Sequence, residues 1–240
     1  MQARVEPAPT SSPTGWLDVK ARMRTAAAAT HRAPATIELV AVSKGQPASA
    51  IRALAAHGQR AFGENYVQEA LGKMSALADL DLNWHFIGRL QANKTREVAT
   101  RFDWCHSVDR LKVAERLNAH RPPALPPLAC CIEVNLSGEA SKAGVDCGAL
   151  DELVEAFAEL PRLTLRGFMS LPAPNANPAA QRAAFGRLRA LLARFPKLDT
   201  LSMGTSDDFE AAIAEGATLV RVGTAVFGPR APSPAGGSGH

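Results

Sequence analysis

The chain has 240 residues, 46% of them hydrophobic, enough to bury one sizeable core without disulfides or metals. Its formal net charge of +4 comes from basic residues dispersed along the chain, which suits a small anionic ligand and argues against nucleic acid. One Tyr and three Trp leave no row of aromatics for stacking bases, and no apolar run approaches the roughly 18 residues of a membrane span.

Residues 1–15 are rich in Pro, Ser and Thr and lack the apolar centre of a signal peptide, so they read as a disordered tail in a cytoplasmic protein. The Pro/Gly/Ser run 231–240 reads the same way, which leaves one folded unit over 16–230. Within it a helix is predicted over Trp16–Ala29, followed by an apolar, β-branched strand at Ile37–Lys44. Pro47 opens a helix that runs to His57 and is closed by Gly58. The same grammar then repeats. Strands are expected at Arg60–Gly63, Trp84–Gly88, Trp104–Val108, Leu128–Leu136, Leu165–Ser170, Thr200–Gly204 and Leu219–Gly223. Helices separate them at Tyr66–Leu77, Asn93–Arg101, Arg110–His120, Ala149–Glu159, Pro178–Phe195 and Asp207–Glu215. Cys105, Cys130, Cys131 and Cys147 form no C-x-x-C pair and read as reduced, buried thiols.

Strands of this continuous apolar type need cover on both faces, which implies a parallel sheet. Eight βα units in about 200 residues match a single (β/α)8 TIM barrel. A doubly wound open sheet would place a G-x-G-x-x-G loop after the first strand, where Lys44-Gly45-Gln46-Pro47 stands instead.

In a barrel, chemistry collects at the carboxyl ends of the strands. Lys44 ends the first predicted strand and shares its two-residue period with Val40 and Val42, toward the interior. It reads either as a lysine snorkelling into solvent or as a desolvated amine, which sheds its proton more readily and suits nucleophilic or Schiff-base chemistry. The seventh strand runs into Gly204-Thr205-Ser206-Asp207-Asp208 and the eighth into Gly223-Thr224. Loops at these two places commonly bind phosphate, with glycine admitting backbone N–H groups and hydroxyls adding donors. Taken singly, Ser206 is also a plain N-cap and Gly223 a plain turn glycine. Arg221 shares a face with Gly223; it reads as a charged donor to a ring nitrogen or as the partner of a carboxylate such as Glu215. A lysine facing a phosphate cradle describes an aldehyde cofactor with a phosphate handle.

At these residues the sequence strongly resembles the YggS/PROSC family of pyridoxal phosphate homeostasis proteins. The resemblance runs from about Leu17 to Phe227 through LVAVSK (39–44), FGENYVQEA (62–70), WHFIGRLQANK (84–94), HSVDR (106–110), IEVNLSGEASKAGV (132–145), LRGFMSLPAP (165–174), LSMGTSDDFEAAIAEGAT (201–218) and VRVGTAVFG (220–228). It implies a barrel like the N-terminal domain of alanine racemase, with pyridoxal 5′-phosphate (PLP) held as a Schiff base on Lys44 and Arg221 beside the ring nitrogen. Ser206, Gly223 and Thr224 match the phosphate-binding positions, and Asn65, His85 and Met203 match residues expected near the ring. Two positions depart from the family's pattern: Gly45 stands where Thr is usual, and Thr205 where Met is frequent. Neither removes a cofactor anchor.

Two functions compete on this evidence. A racemase needs a base on each face of the substrate Cα. In alanine racemase the second base is a tyrosine of an additional domain, for which the tail after strand eight leaves no room. Tyr66, the single tyrosine, and His85 are the substitutes available; each is equally a locally packed residue. An open site and an arginine at the ring nitrogen favour a carrier that stores and supplies PLP without turnover. The expected partners are PLP and, transiently, PLP-dependent apo-enzymes, with the chain a monomer and neither nucleic acid nor membrane involved.

Overall fold

A computed structural model describes residues 13–136, 143–172 and 177–229. Its strands are β1 (Glu38–Val42), β2 (Ala61–Glu64), β3 (Asn83–Phe86), β4 (Trp104–Val108), β5 (Leu128–Asn135), β6 (Val145–Asp146), β7 (Leu163–Met169), β8 (Thr200–Ser202) and β9 (Leu219–Val222). All pair in parallel, and the pairings β1–β9 and β4–β5 close the eight longer strands into a barrel. The short β6 had no counterpart in the sequence pattern; it pairs with Val134 and Asn135 at the end of β5.

The helices are α1 (Thr14–Ala29), α2 (Ala48–Ala56), α3 (Val67–Ala76), α4 (Thr95–Arg101), α5 (Leu111–His120), α6 (Leu150–Ala156), α7 (Pro178–Leu192), α8 (Phe209–Ala214) and α9 (Thr224–Phe227). The first begins at Thr14, two residues inside the stretch expected to be a tail. The remaining tail expectations, 1–12 and 231–240, lie outside the described residues. No helix among the described residues is long and apolar enough to cross a membrane.

Strand alternation divides the apolar residues between two regions. Leu39, Ala41, Phe62, Trp84, Phe86, Cys105, Ile132, Phe168, Leu201, Val220 and Val222 face outward and pack with the helices in one continuous core. Val40, Ala61 and Leu219, with Trp104 against them, form a separate small cluster inside the barrel. Gln59 ties this end together. Its amide donates to the carbonyls of Leu39 and Ala61, each at 2.7 Å, and its Oε1 accepts from the Trp16 indole at 2.9 Å. α1 lies tight against α9, where a Cβ on Gly15 would fall 2.6 Å from the Ala225 carbonyl oxygen.

Cys105, Cys130 and Cys131 are buried free thiols, but Cys147 is exposed, contrary to the sequence reading. It sits in a short 3-10 turn (Cys147–Ala149) ahead of α6 rather than in the apolar strand that buries Cys130 and Cys131.

Gly167 permits the closest strand approach. A Cβ there would stand 1.9 Å from the carbonyl oxygen of Thr200, its partner in β8. Because that obstacle is backbone, Gly167→Ala should cost about 1–3 kcal/mol or more, read as a lowered denaturant midpoint at unchanged slope.

Candidate functional site

The carboxyl ends of the strands surround a cavity of about 410 Å³, within the size range of small-molecule sites. Lys44, Asn65, Ser206, Arg221, Gly223 and Thr224 all line it, so the structure brings together six of the eight residues singled out in the sequence. They come from far apart in the chain: the loop after β1, the end of β2, the loop after β8, and β9 with the start of α9.

His85 and Met203 do not line it. Both are fully buried, for different reasons. Met203 follows Ser202, and the two-residue period turns Ser202 into the barrel and Met203 outward into the core against the helices. His85 does point inward but lies deep, its ring stacked on Trp104 with centroids 5.4 Å apart. Its Nδ1 is 2.9 Å from Nε2 of His106, whose Nδ1 is 2.7 Å from the Ser202 hydroxyl. Ser202 Oγ in turn accepts from Arg221 at 2.7 Å. The second Arg221 nitrogen donates to the Ser170 carbonyl at 3.0 Å.

Arg221 therefore orders the whole row. A guanidinium only donates, so Ser202 Oγ accepts from it, and its hydroxyl finds a partner for its own proton in His106 Nδ1. His106 then donates through Nε2 to His85, whose remaining Nε2 has no partner. This direction leaves one unmatched group, the His85 Nε2–H, whereas the reverse leaves two, the Ser202 proton and the His85 Nε2 lone pair. Burial pushes the Arg221 guanidinium down to about 10, against the attraction of Glu133, and it stays protonated at neutral pH. The carboxylate partner suggested by the sequence, Glu215, instead pairs with Arg182 and Arg189 at 2.9 and 3.1 Å.

The loop after β8 also differs from expectation. α8 starts at Phe209 with Asp208 as N-cap, so Ser206 is released from capping. The Asp208 carboxylate accepts from the Thr205 N–H at 2.6 Å and the Thr205 hydroxyl at 3.0 Å, which gives the unusual Thr205 a definite role in the loop. Ser206 Oγ accepts from the Ala225 N–H at 3.3 Å and so joins this loop to the first turn of α9. Gly204 supports the turn at φ 94°, with Phe209 and Ala212 too near for any side chain.

Several wall residues escaped the sequence reading. Glu133, on the inward face of β5, has its carboxyl raised by burial and by Asp109, against Arg221 and Arg89. A charged residue inside the apolar run CCIEVN was the available signal. Arg89, Gln46 and Asp207 also line the cavity. Tyr66, a proposed second base, is 66% exposed and absent from the wall.

The wall suits a polar, anionic ligand. Asn65 Oδ1 is buried without a hydrogen-bond partner, an arrangement that favours a bound donor. Gly88 opens the space beside it, since a Cβ there would overlap the Asn65 carbonyl. Lys44, Arg89 and Arg221 supply positive charge, and Ser206 and Thr224 supply hydroxyls.

The buried histidines make stability depend on pH. Burial pushes the His85 imidazole down to about 3 and, with His85 and Arg221 nearby, holds His106 well below its usual range. Unfolded histidines take up protons near pH 6.5, so below that pH the unfolded chain binds more protons than the folded one. This contribution is complete above about pH 6.5 and is lost as the pH falls toward the folded value. Denaturation midpoints should therefore decline from pH 7 to pH 5. His85→Gln should flatten that slope by up to about 1.4 kcal/mol per pH unit.

Comparison with known proteins agrees with this geometry. Residues 18–231 match the family model described as alanine racemase, N-terminal domain. The pyridoxal phosphate homeostasis protein of Pseudomonas aeruginosa is 61% identical over 213 residues, covering 88% of this chain and 93% of that protein. Its Escherichia coli K12 counterpart is 52% identical over 219 residues, with 88% and 94% covered. Among solved structures, PipY of Synechococcus elongatus PCC7942 with PLP bound superposes with a TM-score of 0.76 at 40% identity, covering 86% of this chain and all of PipY. The chain belongs to the alanine racemase N-terminal-domain family and, within it, to the YggS/PROSC group of pyridoxal phosphate homeostasis proteins.

Proposed function

We propose that this chain binds pyridoxal 5′-phosphate in the cavity at the mouth of the barrel, through Lys44, and stores and supplies it in the cytoplasm without turning over a substrate. The observation that carries this reading is the convergence of Lys44, Arg221 and the Ser206, Gly223 and Thr224 loops on one cavity. The names of its relatives and the PLP bound to PipY support it.

Each residue has a part that follows from its chemistry. Lys44 would supply the amine that holds the cofactor's aldehyde reversibly. Ser206, Thr224 and the N–H groups at Gly223 and Thr224 would hold the phosphate, while Asn65 and Gly88 shape the wall beside Lys44. Arg221, fixed by Ser202 and Ser170, would offer only donors to a ring nitrogen, which favours an unprotonated ring. Bound PLP supplies an electron sink, and an unprotonated ring weakens it. His85 acts on the site only through His106, Ser202 and Arg221.

The racemase reading loses support because its proposed second bases are misplaced: Tyr66 is exposed and His85 lies below the cavity wall. A storage role has the chain acting as a monomer over 16–230 and meeting apo-enzymes transiently. Incubation with PLP should produce a visible absorption band that borohydride removes with label fixed at Lys44, and Lys44→Ala should show no such band. A wild-type chain without the band overturns the reading. Amino-acid α-proton exchange in deuterated water, present in wild type and lost in Lys44→Ala, would make the chain an enzyme.

A further inference from the structure

Behind the Lys44 loop lies an ionic cluster that the cofactor reading does not use. Lys73 of α3 is nearly buried, yet its ammonium makes three short contacts: Glu64 Oε1 at 2.7 Å, Glu69 Oε1 at 2.6 Å and the Ser43 carbonyl at 2.6 Å. Glu64, the last residue of β2, is fully buried on the outward face and also accepts from the Ser43 hydroxyl at 2.6 Å. Glu69 accepts from the Gly45 N–H at 2.5 Å.

These bonds bracket one residue. Before Lys44, the Ser43 N–H donates to the Gly63 carbonyl, its hydroxyl to Glu64, and its carbonyl accepts from both Lys73 and the Gln46 N–H. After Lys44, the Gly45 N–H is fixed to Glu69. Gly45 itself has φ 72°, the left-handed region a glycine enters without Cβ strain, so the chain turns sharply there with its N–H aimed at α3. A buried ion cluster is costly to assemble, and in some proteins its use is to impose one geometry. Here the imposed geometry is that of residues 43–45.

We propose that Glu69 and Lys73, held by Glu64, are positioning residues for Lys44: they clamp the backbone on either side of it and so set how firmly its amine holds PLP. The inference rests on Lys44 being the anchoring amine. Glu69 is the member to test, because its side chain is 30% exposed and its replacement leaves Glu64 paired with Lys73.

The full-length protein is compared as wild type, Glu69→Ala and Glu69→Gln. Glutamine keeps an acceptor for the Gly45 N–H; alanine does not. PLP titration followed by the visible band should show about tenfold weaker binding in Glu69→Ala and near wild-type binding in Glu69→Gln. Wild-type affinity in Glu69→Ala, or equal losses in both variants, overturns the proposal. Amide hydrogen exchange without PLP gives a separate readout. Gly45 protection should drop at least about tenfold in Glu69→Ala while β1 and β2 amides keep theirs. Unchanged Gly45 protection overturns the proposal, even if wild type takes up no PLP and the cofactor reading itself fails. Should Glu69→Ala not fold, wild-type Gly45 exchanging at the unprotected rate overturns it.

Discussion

Each strand of a closed barrel sends alternate side chains inward, and everything inside must fit a space shared by eight strands. That alternation places Val40, Val42 and then Lys44 on one line, and Leu219, Arg221 and Gly223 on another. It sends Ala61 and Gly63 toward the same axis and leaves Phe62 and Glu64 to the helices. Small and apolar residues fill one end of the barrel, polar ones the middle, and the ligand-facing groups stand at the carboxyl ends. The cavity is where the inward side chains run out.

Polar groups within a barrel need partners, because burial without them costs several kcal/mol each. The row from Arg221 through Ser202 and His106 to His85 meets that need at every position except His85 Nε2. With the guanidinium only donating and the Ser202 hydroxyl donating onward to His106, each group in the row takes a defined role. Burial keeps both imidazoles neutral, which avoids two further cations beside Arg221. The arginine in the cavity wall is thereby held by neutral groups and keeps its positive charge.

Much of this was legible in the residue order. Apolar runs with proline-first and glycine-last helices gave the eight strands, and inward parity gave Lys44 and Arg221. Parity applied equally to Met203 would have turned it outward, since Leu201 and Met203 flank the inward Ser202; proximity to the phosphate loop obscured this. The depth of His85 was not readable, because height within a barrel depends on the stagger between neighbouring strands, and no local pattern reports it. Glu64 was a missed signal: a carboxylate on the helix-facing side of a strand needs a cation, and Lys73 stands nine residues on. The spacing of Glu69 and Lys73 suits an ordinary surface pair on a helix, and only the fold shows that both reach the backbone around Lys44.

The apolar cluster of Val40, Ala61, Leu219 and Trp104 at the closed end has a consequence for traffic. A ligand cannot pass through the barrel; it enters and departs by the same mouth. Under the storage role proposed above, binding and release would retrace one path in opposite directions.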